Sequence, residues 1–276
     1  MKNNLLQTVH QNYTQLSTRE NAYTEVFWIM AHCLNITWPD LHLRYVSDFP
    51  DEVIQSLYKS LEQYLSGRPV AYITGVAPFM DLILYVEEGV LIPRPDTECL
   101  VKCAQGILTP GQSVLELGVG SGAISIALAK MIGHITVTGI ERSAKAVEVA
   151  RKNIHRYGLE DRITLIQKSW YESLDLPMFD LLITNPPYIA EGDKDLSLDV
   201  QLYEPKEALI SESNGLADIE YIIKNAPLVV KSGGSVLIEH GYKQQDSVVA
   251  LLIQYGYKSI LRGYDRDNPR FVKAVV

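Results

Sequence analysis

The segment of this chain best suited to chemistry on a planar nitrogen is Asn185-Pro186-Pro187-Tyr188. It follows Phe179–Thr184, an apolar run that reads as a strand, so it stands where open α/β sheets present their ligands. A residue before proline is pushed out of the helical region, and proline fixes its own φ. Two prolines in succession make a rigid, extended corner that holds Asn185 and aims the Pro186 carbonyl. The Asn185 side-chain oxygen and that carbonyl can each accept one N–H of an NH2 group, and the Tyr188 ring can pack over its plane. With Pro187 they form a candidate substrate pocket that delivers a nitrogen to an electrophile, making the reaction effectively unimolecular. Asn185 is no general base, so the proton is expected to leave after the new bond forms. The plain alternative is a proline turn that merely ends a strand.

An electrophile would rest on Glu116-Leu117-Gly118-Val119-Gly120-Ser121-Gly122, at the join of an apolar strand and a helix. Glycines there let the backbone turn tightly and approach a ligand that a Cβ would obstruct. Glu141 closes the next strand, where a carboxylate can accept hydrogen bonds from two ribose hydroxyls. On the loop alone three readings stand. S-adenosylmethionine fits, a dinucleotide fits because Gly118, Gly120 and Ala123 also match G-x-G-x-x-G/A, and a structural glycine turn fits. The corner downstream favours the first, since a dinucleotide oxidoreductase leaves it unexplained.

Both motifs need a sheet to carry them, and the chain supplies one from residue 96 onward. Strands are expected at Ser113–Leu117, His134–Ile140, Ile163–Gln167, Phe179–Thr184 and Ser235–Glu239, with further strands at the end of the chain. Helices alternate with them at Thr97–Ile107, Ala123–Met131, Ser143–Tyr157, near 216–230 and at 244–255. That order predicts an α/β fold, a parallel-core sheet with helices on both faces. Ahead of it, the first 66 residues or so read as helical. Tyr23, Val26, Phe27, Met30 and Cys33 share one helical face, and Val53, Ile54, Leu57, Leu61 and Tyr64 share another. Between the two parts, Val70–Thr74 and Leu82–Val86 are rich in β-formers, with Gly75, Pro78 and Gly89 as turn signals. The expected division is a helical domain over 1–75, a β-hairpin linker over 76–92 and the α/β domain over 93–276.

Composition narrows the classes. With 47% hydrophobic and 21% charged residues, this is an ordinary globular chain rather than a disordered one. The longest apolar runs are strand-sized and the N-terminus shows no secretory pattern, so a cytoplasmic protein without a membrane partner is expected. Three cysteines without a CxxC pair argue against a disulfide framework and against a zinc site. The net charge of −8 is spread over both parts, which weighs against direct binding of nucleic acid.

Beyond the two motifs, longer strings carry a resemblance. Gly67-Arg68-Pro69-Val70-Ala71-Tyr72-Ile73-Thr74-Gly75 and Leu91-Ile92-Pro93-Arg94-Pro95-Asp96-Thr97-Glu98 are far more specific than a glycine loop. Tyr203-Glu204-Pro205 with Ala208-Leu209, and Ile238-Glu239-His240-Gly241, extend the match. Over nearly its whole length the chain resembles the bacterial release-factor glutamine methyltransferases of the HemK type. The resemblance implies a Rossmann-like class I S-adenosylmethionine methyltransferase domain, preceded by a small all-helical domain and a hairpin. It implies methylation, at the side-chain amide nitrogen, of the glutamine in the Gly-Gly-Gln loop of class-1 peptide chain release factors, with S-adenosylhomocysteine as the other product. Asn185, Pro186 and Tyr188 would hold that glutamine. Gly118, Gly120 and Gly122 would line the cofactor, Glu141 would bind its ribose, and Trp170 would flank the adenine.

This sequence departs from the family pattern in places. Ser169 stands before the tryptophan where Asp is common, so a weaker contact to the adenine is expected. Glu116 and Glu141 stand for Asp, keeping the charge with one more methylene. Arg94, Asp96 and Glu98 fit either charges at the substrate mouth or a network at the helix start. Tyr203-Glu204-Pro205 fits either a wall of the glutamine pocket or a turn, and His240 is expected to pack or bond locally. The rival readings are glutamine methylation of a ribosomal protein, methylation of an exocyclic amine in DNA or RNA, and a non-catalytic cofactor-binding factor. A nucleic-acid substrate would want a basic groove or an RNA-binding module, and the sequence shows neither.

Overall fold

The computed structural model describes residues 21–41, 43–172 and 175–276, together with residues 7, 9, 11, 13 and 19. The chain divides into two compact units, Met1–Val76 and Ala77–Val276. Most of the helical reading for the first twenty residues lies outside the described residues.

The first unit is helical. Helix α1 (Ala22–Leu34) ends where Asn35 turns left-handed, at φ 51°, and α2 (Trp38–Leu41) is a single turn. Helix α3 (Asp51–Leu65) starts after Pro50 with Asp51 and Glu52 in its first turn, where negative charge favours the helix N-terminus. Its buried face is Ile54, Leu57, Leu61 and Tyr64, and these pack with Val26, Phe27, Met30 and Leu34 of α1. Each such side chain contributes about 1.5–3 kcal/mol by leaving water.

Val70–Thr74 is a short helix, α4, not the β segment its composition suggests. Pro69 precedes it and Gly75 closes it at φ 71°, a common punctuation for a helical turn. The Thr74 hydroxyl donates to the Val70 carbonyl, and Val70 and Ile73 pack onto the helical core. Packing of β-branched residues against that core outweighs their local preference.

The second unit opens with the hairpin β1 (Val76–Phe79) and β2 (Leu82–Tyr85). Its turn is at Met80 and Asp81, with Met80 at φ 53°, while Pro78 lies inside β1 and faces outward. The hairpin is not a linker in the packing sense. Phe79, Leu82 and Leu84 are buried in one core with Leu100, Val101 and Ile126 of the α/β unit.

The sheet of that unit has seven strands in the order β5-β4-β3-β6-β7-β9-β8. Strands β3 (Ser113–Leu117), β4 (Thr136–Glu141), β5 (Ile163–Gln167), β6 (Phe179–Thr184) and β7 (Val230–Glu239) run parallel. β9 (Asn268–Val275) pairs antiparallel with β7 and with β8 (Lys258–Asp265). Period-2 alternation sends Val114, Leu181, Ile183 and Leu237 to one face and Leu115, Leu182, Val236 and Ile238 to the other. The first face is covered by α5 (Glu98–Gln105) and α6 (Ala123–Met131), with Ile154 of α7 (Ala144–Arg156). The second is covered by α9 (Ala217–Asn225) and α10 (Gln245–Gln254); the six-residue α8 (Leu198–Tyr203) buries no side chain. The strand order reverses at β3, with β4 on one side and β6 on the other. Such a switch point opens a crevice at the carboxyl ends of the strands.

Candidate active site

The cofactor and corner residues gather at the carboxyl ends of parallel strands: the glycine loop follows β3, Glu141 ends β4, Ser169 and Trp170 follow β5, and the corner follows β6. Two adjoining cavities lie there and share Leu91, Gly118, Gly120 and Asn185. One is bounded further by Glu141, Trp170 and Pro187, the other by Glu116, Thr97 and Arg94.

Gly118 and Gly120 have φ of 76° and 57°, a region that side-chain-bearing residues rarely adopt. A Cβ on Gly118 would meet the Trp170 ring at 3.3 Å, so the absent side chain keeps the loop open beneath the indole. Gly122 has a different role. It lines neither cavity, and a Cβ there would meet Ile126 at 3.1 Å and Ala150 at 3.6 Å, so it allows α6 and α7 to pack.

Glu141 braces the loop. Its Oε2 accepts from the Gly120 amide at 2.9 Å and its Oε1 from the Ser143 amide at 2.8 Å. A carboxylate oxygen has two lone pairs, so both retain capacity toward the cavity. Glu116 is fully buried; its Oε2 accepts from the Ser125 hydroxyl and its Oε1 has no partner. Burial pushes the Glu116 carboxyl up to about 8 despite the Ser125 bonds.

The corner is held from several sides. The Asn185 amide Nδ2 donates to the Thr97 hydroxyl at 3.1 Å, which leaves its Oδ1 as the free acceptor. Tyr188 donates from its hydroxyl to Glu239 Oε1 at 3.2 Å, and its carbonyl accepts from Gln244 Nε2 at 2.9 Å. Ile189 then pairs with Ile210, its amide donating to the Leu209 carbonyl and its carbonyl accepting from the Ser211 amide. Burial, with the neighbouring Glu239 charge, pushes the Tyr188 phenol well above its usual range. Tyr188 borders a separate cavity of about 310 Å³ with Gln244 and Arg270 rather than the two that Asn185 lines, so its ring is anchored on the far side of the corner. Pro186 is buried and lines none of these cavities.

Ser169 lines neither of the two cavities; its hydroxyl accepts from the Tyr171 amide at 3.2 Å, closing a local turn. The charged string before α5 is a network as well as a wall. Arg94 pairs with the buried Glu204, Asp96 pairs with Arg270 at 2.7 Å, and Glu98 accepts from the Met80 amide. Glu204 also accepts from the Ile92 amide, and Pro205 faces the cavity with Glu141. His240 is wholly buried with Nδ1 donating to the Gly241 carbonyl, and burial holds its pKa below the usual value.

Several residues carry weight here that local pattern reading assigned none. Arg142 lines the cavity and donates to the Glu207 carbonyl at 2.7 Å, tying residues 205–208 to the end of β4. Thr97 and Glu239 stand behind the corner, and Asn153 stands behind the glycine loop. Thr97 and Glu239 belong to the specific strings noted above, which was the available signal. Asn153 had none beyond being a polar residue on an amphipathic helix.

The parallel sheet with its switch-point crevice, glycine loop and proline corner defines a class I methyltransferase fold. A family described as "Methyltransferase small domain" matches residues 95–217, and one described as "PrmC N-terminal domain" matches residues 7–75. The "Release factor glutamine methyltransferase" of Vibrio cholerae serotype O1 is 41% identical over 83% of this chain and 79% of its own length. The protein of that name from Escherichia coli K12 is 38% identical over 80% of each chain. Among solved structures, a 16S rRNA N2 G1207 methyltransferase of T. thermophilus in complex with AdoMet and guanosine shares the fold, at a TM-score of 0.53 and 19% identity. It matches 72% of this chain and 49% of that one. The chain belongs to the family of release factor glutamine methyltransferases, enzymes that take their methyl group from S-adenosylmethionine.

The residues present fit that cofactor. Gly118 provides a cradle that a Cβ would fill, Glu141 retains acceptor capacity beside it, and the orphaned Glu116 oxygen waits for a donor near the second cavity. Among the described residues, no helix is long and apolar enough to cross a membrane.

Proposed function

We propose that this protein methylates the N5 nitrogen of the glutamine in the Gly-Gly-Gln loop of class-1 peptide chain release factors, in the cytoplasm. The observation that carries this reading is the sense of the Asn185 amide. One hydrogen of its NH2 goes to Thr97 and the residue lines both shared cavities, which leaves its oxygen to accept from a substrate nitrogen with two hydrogens. A hydroxyl or a carboxylate substrate would want a base or a donor there.

When bound, S-adenosylmethionine supplies a methyl group activated on a sulfonium. The rest falls to the chain. Asn185 Oδ1 accepts an N–H group and fixes the nitrogen's direction of approach, while Pro186, which lines none of the cavities, restricts the Asn185 backbone. An amide nitrogen is a poor nucleophile because its lone pair is delocalised, and the ~18–20 kcal/mol barrier to peptide-bond rotation gives the scale of that conjugation. Acceptors that tolerate a pyramidal, increasingly positive nitrogen favour the transition state over the ground state. Gly118, Gly120, Glu141 and Trp170 would hold the cofactor, and the unpartnered Glu116 oxygen would accept from one of its N–H donors. Asn185 moves no proton; as the sulfur–methyl bond breaks and the nitrogen–methyl bond forms, the nitrogen becomes a protonated N-methyl amide, and its surplus proton passes to water.

The test is labelled S-adenosylmethionine offered in parallel to release factor, ribosomal proteins and RNA. Label on the release-factor glutamine alone supports the reading. Label on a ribosomal protein or on RNA, with release factor unmodified, overturns it.

A further inference from the structure

Glu204 is buried, yet it lines neither of the two cavities at the strand ends. Its Oε1 accepts from the Arg94 guanidinium, and its Oε2 accepts from the Ile92 amide at 3.2 Å. The acid thereby joins two segments that are far apart in sequence and border the same cavity. One contributes Gly89, Val90 and Leu91, the other Pro205, Glu207 and Ala208. Neither segment belongs to the sheet. Together they cover a floor made by the glycine loop and Glu141 at the ends of β3 and β4.

The two segments are held unequally. Val90 is buried against Ala146 and Val149 of α7, which fixes the first to the body of the α/β unit. The second has no such anchor upstream, because α8 just before it buries no side chain. Downstream it is tied where the Leu209 carbonyl and the Ser211 amide pair with Ile189. Between those limits, its hydrogen bonds to other segments are those of Glu204 and one from Arg142, which donates to the Glu207 carbonyl at 2.7 Å from an exposed position. Hydrogen bonds between charged groups are the stronger kind, and the acid of this pair is shielded from water.

Space gives this arrangement a consequence. The two cavities measure about 60 and 50 Å³. A pocket for a ligand the size of a nucleoside joined to an amino acid spans about 300–1,000 Å³. The cover must therefore part for S-adenosylmethionine to enter, and parting it means breaking the hold of Glu204.

We propose that Glu204 is a positioning residue that latches residues 204–208 over the cofactor cavities through Arg94 and Ile92, so that its release sets how fast the cofactor enters and leaves. Glu204 itself touches no cofactor. The inference rests on these cavities being the cofactor site, and its test separates the two.

The full-length enzyme is mixed with S-adenosylhomocysteine in a stopped-flow instrument, with tryptophan fluorescence as the signal, since Trp170 borders the cavity. The slope and intercept of the observed rate against ligand concentration give the association and dissociation rate constants. Glu204→Gln keeps the shape and an acceptor for Ile92 but removes the charge that Arg94 holds. Both rate constants are expected to rise about tenfold, the effect of losing one charged hydrogen bond, with their ratio near wild type. That pattern belongs to a latch. Loss of a direct contact would speed dissociation alone, and a folding defect would slow association. Arg94→Gln breaks the same pair from the other side and serves if Glu204→Gln folds poorly. Association at the wild-type rate or slower in the folded variant overturns the inference. Glu141→Ala isolates the underlying reading: if it loses affinity while Glu204→Gln binds at wild-type rates, only the latch fails. Full affinity in Glu141→Ala removes both.

Discussion

Asn153, on α7, donates from its side chain to the Ser121 carbonyl in the glycine loop at 2.8 Å, across 32 residues of sequence. The same amide donates to the Tyr85 carbonyl at 2.9 Å and accepts from the Tyr85 amide at 2.7 Å. One wholly buried side chain thus ties the edge of β2 to the cofactor loop. Tyr157 repeats the device one turn on, exchanging two hydrogen bonds with Ile83.

Asn153→Ala would leave three backbone groups without their partner, the Ser121 carbonyl in a buried place and the two Tyr85 groups in a partly buried one. An unsatisfied buried group costs about 1–3 kcal/mol, so a loss on the order of 3 kcal/mol in the stability of the α/β unit is expected after partial relaxation. Affinity for S-adenosylhomocysteine should fall as well, because the loop loses a brace. Denaturant unfolding followed by probes in that unit, together with calorimetry, checks both. An unchanged midpoint would remove Asn153 from this role.

Glu116 gives a pH dependence with a definite sign. Its folded-state pKa is raised to about 8 from the usual 4.5, so the folded enzyme holds a proton that the unfolded chain releases. Its contribution to stability is fully present below the unfolded value and is lost as pH rises through the folded one. A cationic ligand beside the carboxyl favours ionisation. Binding of S-adenosylmethionine near neutral pH is therefore expected to release a proton and to tighten as pH rises toward 8. Calorimetry in buffers of different ionisation enthalpy measures the release, and Glu116→Gln should abolish it. Equal proton release by the mutant would assign the effect to another group.

Glu141→Ala should weaken S-adenosylmethionine and S-adenosylhomocysteine together. Both share the ribose, and the substitution also frees the Gly120 and Ser143 amides that the carboxylate now holds. The loss of a charge-assisted contact is about 1.5–3 kcal/mol, roughly tenfold to a hundredfold in affinity. Loss of affinity for only one of the two ligands would argue against a ribose contact.

The helical unit is expected to serve selection of the substrate. A single glutamine offers little surface, so discrimination among many exposed glutamines needs contacts away from the reacting amide. The hairpin shares the core of the α/β unit, so a truncation must keep it; removing residues 1–75 meets that condition. The truncated enzyme should still bind S-adenosylhomocysteine. It should lose methylation of intact release factor far more than methylation of a short Gly-Gly-Gln peptide. A parallel loss on both substrates would show that these helices do something other than docking.

What the sequence determined by itself is what a residue decides alone or with its chain neighbours. Ser113–Leu117, Ala123–Met131, Ile163–Gln167 and Phe179–Thr184 have the bounds their periodicity indicates, and Gly118 and Gly120 turn where only glycine turns freely. The proline corner is legible for the same reason, because its geometry is covalent. Tertiary structure decided what depends on distant partners. Val70–Thr74 is helical because a core awaits its apolar side chains, and Gly122, at φ 87°, has Ile126 packed where a Cβ would stand. Ser169 and Tyr188 turn away from the cavities that Asn185 lines because local and cross-sheet hydrogen bonds hold them there. The Asn185 amide finds its partner in Thr97, 88 residues earlier. A side-chain amide can face either way at almost equal local energy, so only the groups that packing brings against it can choose.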